Sequence, residues 1–284
     1  MMNLFSNNIK KIKILGLLFL AIIFMTACDS DEGQNLDSRN WTLTWSDEFD
    51  GNAGILPDAT KWTYDLGTGY GGWGNNELQH YTNRPENVSL DGNGNLVITA
   101  KSESYSGSAY TSARIKTEGL FTQAYGRFEA RIKTPYGQGI WPAFWMLGAN
   151  NNTVGWPQCG EIDILEMKGQ QPSINNSSLH GPGYSGGNPI TDSYALFNNR
   201  FDNGFHIFSV EWDVDKIDFF VDGYLFQRIS KADVTAKGEW VYDHAFYLIL
   251  NIAVGGNYVG SPNGNTSFPQ KMTIDYVRVY KLAE

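Results

Sequence analysis

The chain has 284 residues, a formal net charge of −9 and an aromatic content of 14%. This acidity argues against a nucleic-acid or anionic-lipid partner, because both are negatively charged, and it is compatible with a neutral ligand. Hydrophobic residues make up 42% of the chain, which is enough for one core of the larger size. No internal repeat and no long amphipathic helical pattern is present, which argues against repeat arrays and helical bundles.

The first predicted element is a targeting segment over residues 1–27. Three lysines precede an apolar run that is too short to span a membrane. Cys28 follows Met25-Thr26-Ala27, a sequence that resembles the lipobox of bacterial lipoproteins, in which the cysteine is acylated and becomes the mature N-terminus. The resemblance implies a lipid anchor at Cys28 and a location in the bacterial cell envelope, at the outer-membrane surface. Secretion is the alternative.

Residues 28–40 are predicted to be an acidic linker. The stretch 29–33 resembles the acidic signal that directs some bacterial lipoproteins to the cell surface, and a solvated spacer is the alternative interpretation. If Cys28 carries lipid, Cys159 is the only other cysteine, so no intramolecular disulfide can form and packing must stabilise the fold. Removal of the three lysines of the leader leaves a mature chain with a net charge of −12.

Residues 41–284 are predicted to form one all-β domain. Within it, Phe128, Ala130 and Ile132 alternate with charged residues, which is the pattern of a half-buried antiparallel strand. We therefore expect one face of this strand to contact the core and the other to face solvent.

The segment 160–169 is the most informative part of the chain. It contains three acidic residues, Glu161, Asp163 and Glu166, among large aliphatic side chains, where ionised groups are costly and commonly functional. Strict strand alternation would place Leu165, rather than Glu166, on the face of the other two acids. A β-bulge near Ile164 and Leu165 would absorb one residue and return Glu166 to that face.

Two glutamates on one bulged strand can bring their carboxyl groups to the roughly 5–5.5 Å of a retaining glycosidase, closer than the roughly 6.5–9.5 Å of an inverting one. One carboxylate would attack the anomeric carbon, and the other would act as acid and then as base. Asp163 can orient the nucleophile and raise the pKa of the acid. The spacing does not decide which glutamate has which role.

A metal site is the rival interpretation, but the motif contains no histidine, and a calcium loop would be rich in glycine and asparagine. A structural acid cluster is the other alternative.

The C-terminal half repeats the β pattern. Residues 206–213 alternate in the same way, and Asp222-Gly223 between two apolar segments predicts a hairpin with a type I′ turn. Residues 230–237 are the one short helical candidate. Many short strands separated by glycine-rich turns, with 31 glycines in all, predict a sandwich or a barrel.

The acidic motif resembles the bulged E-x-D-x-x-E signature of glycoside hydrolase family 16, in the form found in laminarinases. Segments similar to the family's pattern follow one another along the mature domain, at residues 45–51, 74–79, 112–115, 141–147, 251–256 and 274–280. The resemblance implies a β-jelly-roll sandwich of two antiparallel sheets with a concave substrate cleft. It also implies that Glu161 is the nucleophile, Asp163 its assistant and Glu166 the acid/base, with no cofactor for catalysis.

The resemblance also implies a set of substrate-binding residues. Sugar rings present apolar C–H faces that stack on indoles, and the family pattern puts Trp141 and Trp145 in the donor subsites. Asn76 and Arg114 match positions that hydrogen-bond glucose hydroxyls, and His180 matches a histidine on the leaving-group side. Without the family, core packing would be the default for the tryptophans, a salt bridge for Arg114 and a structural position for His180.

Glu48, Gly94 and Asp275 match the places where many family members hold a structural calcium ion, through backbone carbonyls and one carboxylate. Oxygen ligands suit such a hard cation. A site of this kind would lie on the convex face and would stabilise the fold.

These patterns together predict a monomeric, retaining endo-β-1,3-glucanase that acts on a laminarin-like β-glucan. A hydrolase of mixed-linkage β-1,3-1,4-glucan or of a galactan is the alternative within the family, although lichenases usually lack the bulge and sulfated galactans would favour a more basic cleft. A non-catalytic glucan-binding module of the same fold is a third reading, which the presence of both glutamates disfavours.

Overall fold

The computed structural model describes Gln34 and residues 39–283. The predicted targeting segment and Cys28 lie outside the described residues. The chain divides between Leu36 and Asp37 into two units, and every described strand belongs to the second. Among the described residues, the helices are too short or too polar to cross a membrane.

Seventeen strands make up most of the described chain. In the first half they are Trp41–Asp47 (β1), Thr63–Asp65 (β2), Gln79–Tyr81 (β3), Val88–Leu90 (β4), Leu96–Tyr105 (β5), Ser108–Ser112 (β6), Arg114–Lys116 (β7), Gly126–Lys133 (β8) and Ile140–Gly148 (β9). In the second half they are Glu161–Glu166 (β10), Ile174–His180 (β11), Ile190–Ala195 (β12), His206–Trp212 (β13), Lys216–Val221 (β14), Tyr224–Ser230 (β15), Phe246–Val254 (β16) and Gln270–Leu282 (β17).

Three short helical segments interrupt the strands, namely a π-turn at Gly72–Asn76, α1 at Asn151–Val154 and α2 at Lys231–Thr235. The predicted helical candidate corresponds to α2. Ser230 caps it, because its hydroxyl accepts the backbone N–H of Asp233, and the Asp233 carboxylate accepts the backbone N–H of Ser230. This reciprocal pair satisfies donors that the first helical turn leaves open.

The strands form two sheets. The larger one, here called the outer sheet, has the order β15-β14-β13-β8-β17-β5-β6-β3, with β1 paired to β17 and β4 to β5. The smaller one, here called the cleft sheet, has the order β12-β11-β10-β9-β16-β7-β2. Of the described strand pairs, only β3 and β6 run parallel. The predicted sandwich of two antiparallel sheets is confirmed.

The main core lies between the two sheets. Phe128, Ala130 and Ile132 of β8 are completely buried, as their alternation predicts, but the opposite face is only partly open to solvent, because Glu129 is 7% exposed and pairs with Arg127. The three apolar side chains share this core with alternate residues of β16, such as Leu248 and Leu250. The other residues of β16 are buried as well, so that this central strand has no solvent-facing side.

The second face of β16 is covered by a smaller apolar cluster on the cleft side. Tyr247 and Ile249 of β16 pack there with Leu147 and Cys159, against the partly buried Trp145. Cys159 is therefore a small buried side chain, and burial raises the pKa of its thiol to about 11. The cluster forms an apolar base beneath the polar groups of the cleft.

The predicted hairpin joins β14 to β15. Asp222 and Gly223 have φ values of 50° and 82°, and Val221 pairs with Tyr224 across the turn. Positive φ at both central positions is the requirement of a type I′ turn, so this prediction is confirmed.

Candidate active site

The three acids of the motif lie on β10, near the middle of the cleft sheet. Against β9, Asp163 pairs with Trp145, whereas Leu165 pairs with the next residue, Phe144. Ile164 is therefore the extra residue of a β-bulge, as predicted. The bulge brings Glu166 into register with the cleft-facing side of the strand, and Glu161, Asp163 and Glu166 all face the same surface.

Side chains of β11 hold the bulge in place. The backbone carbonyl of Ile164 accepts hydrogen bonds from Ser177 Oγ at 2.8 Å and from Asn175 Nδ2 at 3.2 Å. The Asn175 Oδ1 accepts the backbone N–H of Glu166 at 3.2 Å. Both side chains are completely buried. They replace the ladder bonds that a bulge interrupts, so the backbone beneath Glu166 has a fixed conformation.

Glu161 is held between an indole and an imidazole. Its Oε2 accepts the Trp156 Nε1–H at 2.9 Å, and its Oε1 lies 3.8 Å from His180 Nε2. Burial and the negative charge of Asp163 raise the pKa of Glu161, whereas His180 and Trp156 act in the opposite direction. The ionised form of Glu161 is costly at this position, and the hydrogen bond from Trp156 and the nearby charge of His180 partly offset the cost.

Asp163 and His180 form a buried ion pair. The Asp163 Oδ2 lies 3.2 Å from His180 Nε2, and the two residues are only 5% and 9% exposed. Burial alone would lower the pKa of His180, but the contact with Asp163 and the charges of Glu161 and Glu166 raise it to about 9. His180 therefore carries a positive charge at neutral pH.

Of the two glutamates, Glu166 has the larger number of carboxylates that raise its pKa. Burial raises its pKa first, the Asp163 carboxylate raises it further, and so does Glu161. The charge of His180 and a hydrogen bond from Trp141 oppose this rise. Because three carboxyl groups in one poorly solvated site cannot all ionise readily, the glutamate pair retains a proton into the neutral range.

The same groups have the spacing of a metal site. One ligand atom each from Glu161, Asp163 and His180 lies within 4.8 Å of the others. The motif itself contains no histidine, but β11 brings His180 into the cluster. Metal ligands must be deprotonated, so a metal would have to displace the proton of His180 and the Trp156 N–H that donates to Glu161. The donor set therefore fits proton transfer better than metal binding.

Trp145 is fixed at its edge and against one face. Its Nε1–H donates to Asn251 Oδ1 at 2.8 Å, and Asn251 Nδ2 donates to the Tyr81 hydroxyl at 3.2 Å. The guanidinium carbon of Arg114 lies 4.7 Å from the Trp145 ring and 4.9 Å from the ring of Trp73. The cation thus lies between two indoles, which limits the rotation of Trp145.

Arg114 forms a salt bridge with Asp65, which was the alternative to a sugar-binding role for this residue. Its Nε lies 2.9 Å from Asp65 Oδ2, and its side chain is 13% exposed. Asn76 lies at the edge of the cleft, where its Nδ2–H donates to Asn257 Oδ1 at 3.0 Å. These two predicted sugar-binding residues therefore border the same region as Trp145, on the side of β10 that carries β9, β16 and β7.

Trp141 lies on the same face of β9 as Trp145, as their spacing predicts. Its ring centroid is 4.9 Å from that of Tyr258, and the Lys168 Nζ lies 4.5 Å from the Tyr258 ring. Trp141, Tyr258 and Lys168 form a wall of the cleft beside Glu166.

Several residues of the site were not found by sequence reasoning. Trp156 was close enough to be suspected, since it precedes Glu161 by five positions. Tyr258, Trp73 and Asp65 carry no local signal, because each acquires its role through contacts with a distant part of the chain.

The predicted calcium ligands are brought together only in part. A methyl group at Gly94 would lie 3.9 Å from the Glu48 carbonyl oxygen, so these two backbones approach each other. The Glu48 carboxylate is paired with Arg278 at 2.8 and 3.0 Å, which leaves its carbonyl for a ligand role. Asp275 occupies the irregularity of β17 between Ile274 and Tyr276, but its carboxylate pairs with Arg131.

A two-sheet β-sandwich that carries two glutamates around an aspartate on a bulged strand defines a glycoside hydrolase site. The chain belongs to the glycosyl hydrolases family 16, whose sequence profile matches residues 75–278.

Solved structures and a curated relative agree with this assignment. The laminarinase catalytic domain of Thermotoga maritima is 48% identical, covers 87% of this chain and 100% of its own, and has a TM-score of 0.81. The endo-β-1,3-glucanase of Pyrococcus furiosus is 45% identical over 88% of this chain and 97% of its own, with a TM-score of 0.83. A β-glucanase of Rhodothermus marinus is 43% identical over 256 residues, which is 86% of this chain and 87% of the relative.

Proposed function

We propose that the chain is an endo-β-1,3-glucanase that hydrolyses internal bonds of a laminarin-like β-glucan with retention of configuration. The observation that carries the proposal is the pair of glutamates, Glu161 and Glu166, on either side of Asp163 on one bulged strand. The similarity to a laminarinase and to an endo-β-1,3-glucanase supports the choice of substrate.

In the first step, Glu161 attacks the anomeric carbon while Glu166 protonates the leaving oxygen. The Trp156 N–H and the charged His180 favour the ionised form of Glu161. Ionised Glu161 and Asp163 in turn raise the pKa of Glu166, which therefore holds the proton that the leaving group needs. Asp163, paired with His180, assists by orienting the nucleophile.

In the second step, Glu166 acts as the base for the incoming water. Once Glu161 has become a glycosyl ester, its negative charge is gone, so one of the causes that raised the pKa of Glu166 disappears. Glu166 has lost its proton to the leaving group, and without the Glu161 charge beside it the ionised form of Glu166 is less costly. The Glu166 carboxylate can then accept a proton from water. The same residue can thus serve both steps.

The sheet order supports an orientation for the substrate. Trp145, Arg114 and Asn76 lie towards β9, β7 and the π-turn, and we assign the donor sugars to this side. His180 lies on β11, on the opposite side of β10, and we assign the leaving group to that side. Trp145 would stack on a sugar ring, while Asn76 and Arg114 would bind its hydroxyls.

The proposal is tested by measuring the reducing ends that residues 29–284 release from laminarin, mixed-linkage β-glucan and agarose. Rapid release of short oligosaccharides from laminarin is the expected result. Preference for mixed-linkage glucan would retain the mechanism and change the substrate. No release from any of the three, with laminarin still bound, would favour the glucan-binding module.

We also infer a structural calcium ion and a lipid anchor. The carbonyl oxygens of Glu48 and Gly94 and the carboxylate of Asp275 would hold the ion, if Asp275 exchanges its pairing with Arg131 for the cation. The ion would stabilise the fold and take no part in the reaction.

Acylation at Cys28 would tether the catalytic domain to the cell envelope through an acidic linker. The Cys28→Ser variant should then lose the lipid label that the wild type takes up.

A further inference from the structure

Two aromatic side chains are almost fully exposed at opposite edges of the cleft sheet. Tyr70 is 99% exposed and Phe197 is 90% exposed, the highest values among large hydrophobic side chains of the described residues. Tyr70 follows β2 and Phe197 follows β12, and these are the two edge strands of the sheet. Single exposed apolar residues are common on protein surfaces. Whether Tyr70 and Phe197 bind a ligand must therefore be judged from their position on the sheet and from the hydrogen bonds that fix their loops.

The strand directions bring both residues to the same end of the sheet. Each neighbouring pair in the cleft sheet is antiparallel, so β2, β16, β10 and β12 all run in one direction. The loops that follow these four strands therefore lie along one rim. They carry Tyr70, Tyr258, Lys168 and Phe197, and Glu166 ends the strand near the middle of this rim.

One row of paired residues joins the two edges and passes through Glu166. It runs through Ser193, Asn176, Glu166, Ala143, Asn251, Arg114 and Asp65. At a strand spacing of about 4.8 Å, the row spans roughly 29 Å. Glu166 on β10 lies four strand spacings, about 19 Å, from β2 and two spacings, about 10 Å, from β12. A glucan bound across the strands would therefore extend further on the side of Tyr70 than on the side of Phe197 before it reached these rings.

The backbone beneath Tyr70 is fixed. Its carbonyl accepts the backbone N–H of Gly74 at 2.9 Å, and the Gly71 carbonyl accepts that of Asn76 at 3.0 Å. Gly69 has a φ of 59° and lies so close to the Trp73 ring that a Cβ there would be 2.5 Å from it. This loop presents the phenol ring from a packed base.

The backbone around Phe197 is anchored in the same way. The N–H of Leu196 donates to the Ser173 carbonyl at 2.9 Å, and the Ser173 hydroxyl donates to the Asn199 carbonyl at 2.6 Å. Phe201, four residues further along the same loop, is completely buried. Because the backbone is already fixed, stacking of a ligand on the ring has to order only the side chain and not the loop.

We propose that Tyr70 and Phe197 are outer sugar-binding platforms, on the donor and acceptor sides respectively, which extend the cleft to both edges of the sheet. The inference rests on the proposed glucanase function and adds that the site takes a long, neutral β-glucan segment. Each ring offers an apolar face to the C–H face of a distant sugar.

The test compares a long and a short substrate in Tyr70→Ala and Phe197→Ala. The KM for laminarin should rise about two- to tenfold in each variant, as expected for the loss of one stacked ring. The kcat/KM for an aryl laminaribioside should be unchanged, because two sugars and an aryl group cannot reach either edge. Tyr70→Phe and Phe197→Tyr retain a ring and should behave as the wild type.

Leu43→Ala is the control, because Leu43 is 52% exposed on β1 of the outer sheet. An unchanged KM for laminarin in both alanine variants at the cleft would overturn the proposal. An equal loss on both substrates, or the same loss in Leu43→Ala, would also overturn it.

Failure of the underlying function gives a different result. If the wild type cleaves neither substrate, the glucanase assignment fails, and the platforms are then judged by electrophoresis in gels that contain laminarin. Weaker retardation of both alanine variants than of the wild type would support them, and equal retardation would overturn them.

Discussion

A few polar contacts decide how the two glutamates share their proton. Trp156 donates to Glu161, whereas Trp141 donates to Glu166, so each carboxyl group has its own indole donor. Because a donor stabilises the ionised form, each indole lowers the pKa of its own glutamate. The pH dependence of the enzyme should therefore respond differently to the two tryptophans.

The Trp156→Phe variant keeps an aromatic ring and removes the N–H. The pKa of Glu161, already raised by burial, should rise further, so the nucleophile ionises only at higher pH. The acidic limb of the kcat/KM profile should move to higher pH. In the matched variant Trp141→Phe the alkaline limb should move upward instead, since Glu166 must stay protonated. An acidic limb that is unchanged in Trp156→Phe would contradict the assigned contact.

The Trp145→Ala variant tests the donor-side platform. Loss of a stacked indole should weaken oligosaccharide binding by about 1–3 kcal/mol, measured by calorimetry in a Glu161→Gln background that binds without turnover. Trp145→Phe keeps a ring but loses the bond to Asn251, and its affinity should lie between those of wild type and Trp145→Ala. Equal affinity of the protein with Trp145 and of its Trp145→Ala and Trp145→Phe variants would show that Trp145 does not contact the sugar.

Sequence reasoning worked for individual residues where the signal was local. The acids of β10 were conspicuous because carboxylates are rare among aliphatic residues, and their bulge followed from alternation. The pairing of Arg114 with Asp65 and the ion pair of Asp163 with His180 join residues on different strands. Such contacts depend on strand order, which no spacing in the sequence encodes.

At the scale of the element, the bulge of β10 is the decisive feature. It depends on one inserted residue, Ile164, and on Asn175 and Ser177, which bond its backbone. The spacing of the acids predicted the insertion. The hydrogen bonds from side chains of β11 were not predicted, since polar residues on a strand usually indicate a solvent-facing side. Here both are completely buried and satisfy the backbone.

Deletion of Ile164 tests this element directly. The shortened strand reads Glu161-Ile162-Asp163-Leu165-Glu166, in which strict alternation keeps Glu166 on the face of the other two acids. The deletion variant should therefore fold and retain some turnover, reduced because the Ile164 carbonyl that Asn175 and Ser177 bind is lost and Glu166 moves relative to Glu161. The matched variant Ile164→Val keeps the residue count, should cost about 0.5–1.5 kcal/mol of stability and should remain fully active. Activity assays with circular dichroism on both proteins separate loss of geometry from loss of folding. Complete loss of turnover in a folded deletion variant would show that alternation alone does not place Glu166.

At the scale of the whole molecule, fold class followed from many short alternating segments and the Asp222-Gly223 turn. Strand order did not, because most pairings join distant parts of the chain. The interior position of β16 in the cleft sheet illustrates the difficulty. Its nine residues are buried on both faces, one against the sandwich core and the other beneath the cleft, so the strand lacks the alternation of apolar and polar residues that marks β8 and β13.

The proposed calcium ion should act on the whole fold rather than on chemistry. A ligand that binds only the folded state raises the free energy of unfolding, so the melting temperature should be higher in calcium than in EDTA. Asp275→Asn should reduce this difference and leave kcat unchanged. A melting temperature that does not respond to calcium would show that the folded protein does not bind the ion.

The central claim is that Glu161 attacks and Glu166 supplies and removes the proton. The most direct measurement is the anomeric configuration of the azide product formed by Glu166→Ala from an aryl laminaribioside, determined by NMR. If Glu161 is the nucleophile, azide displaces it from the glycosyl enzyme, restores turnover and gives a product with the configuration of the substrate. A product of the opposite configuration would mean that azide attacked the substrate directly in place of Glu166, and that Glu166 is the nucleophile.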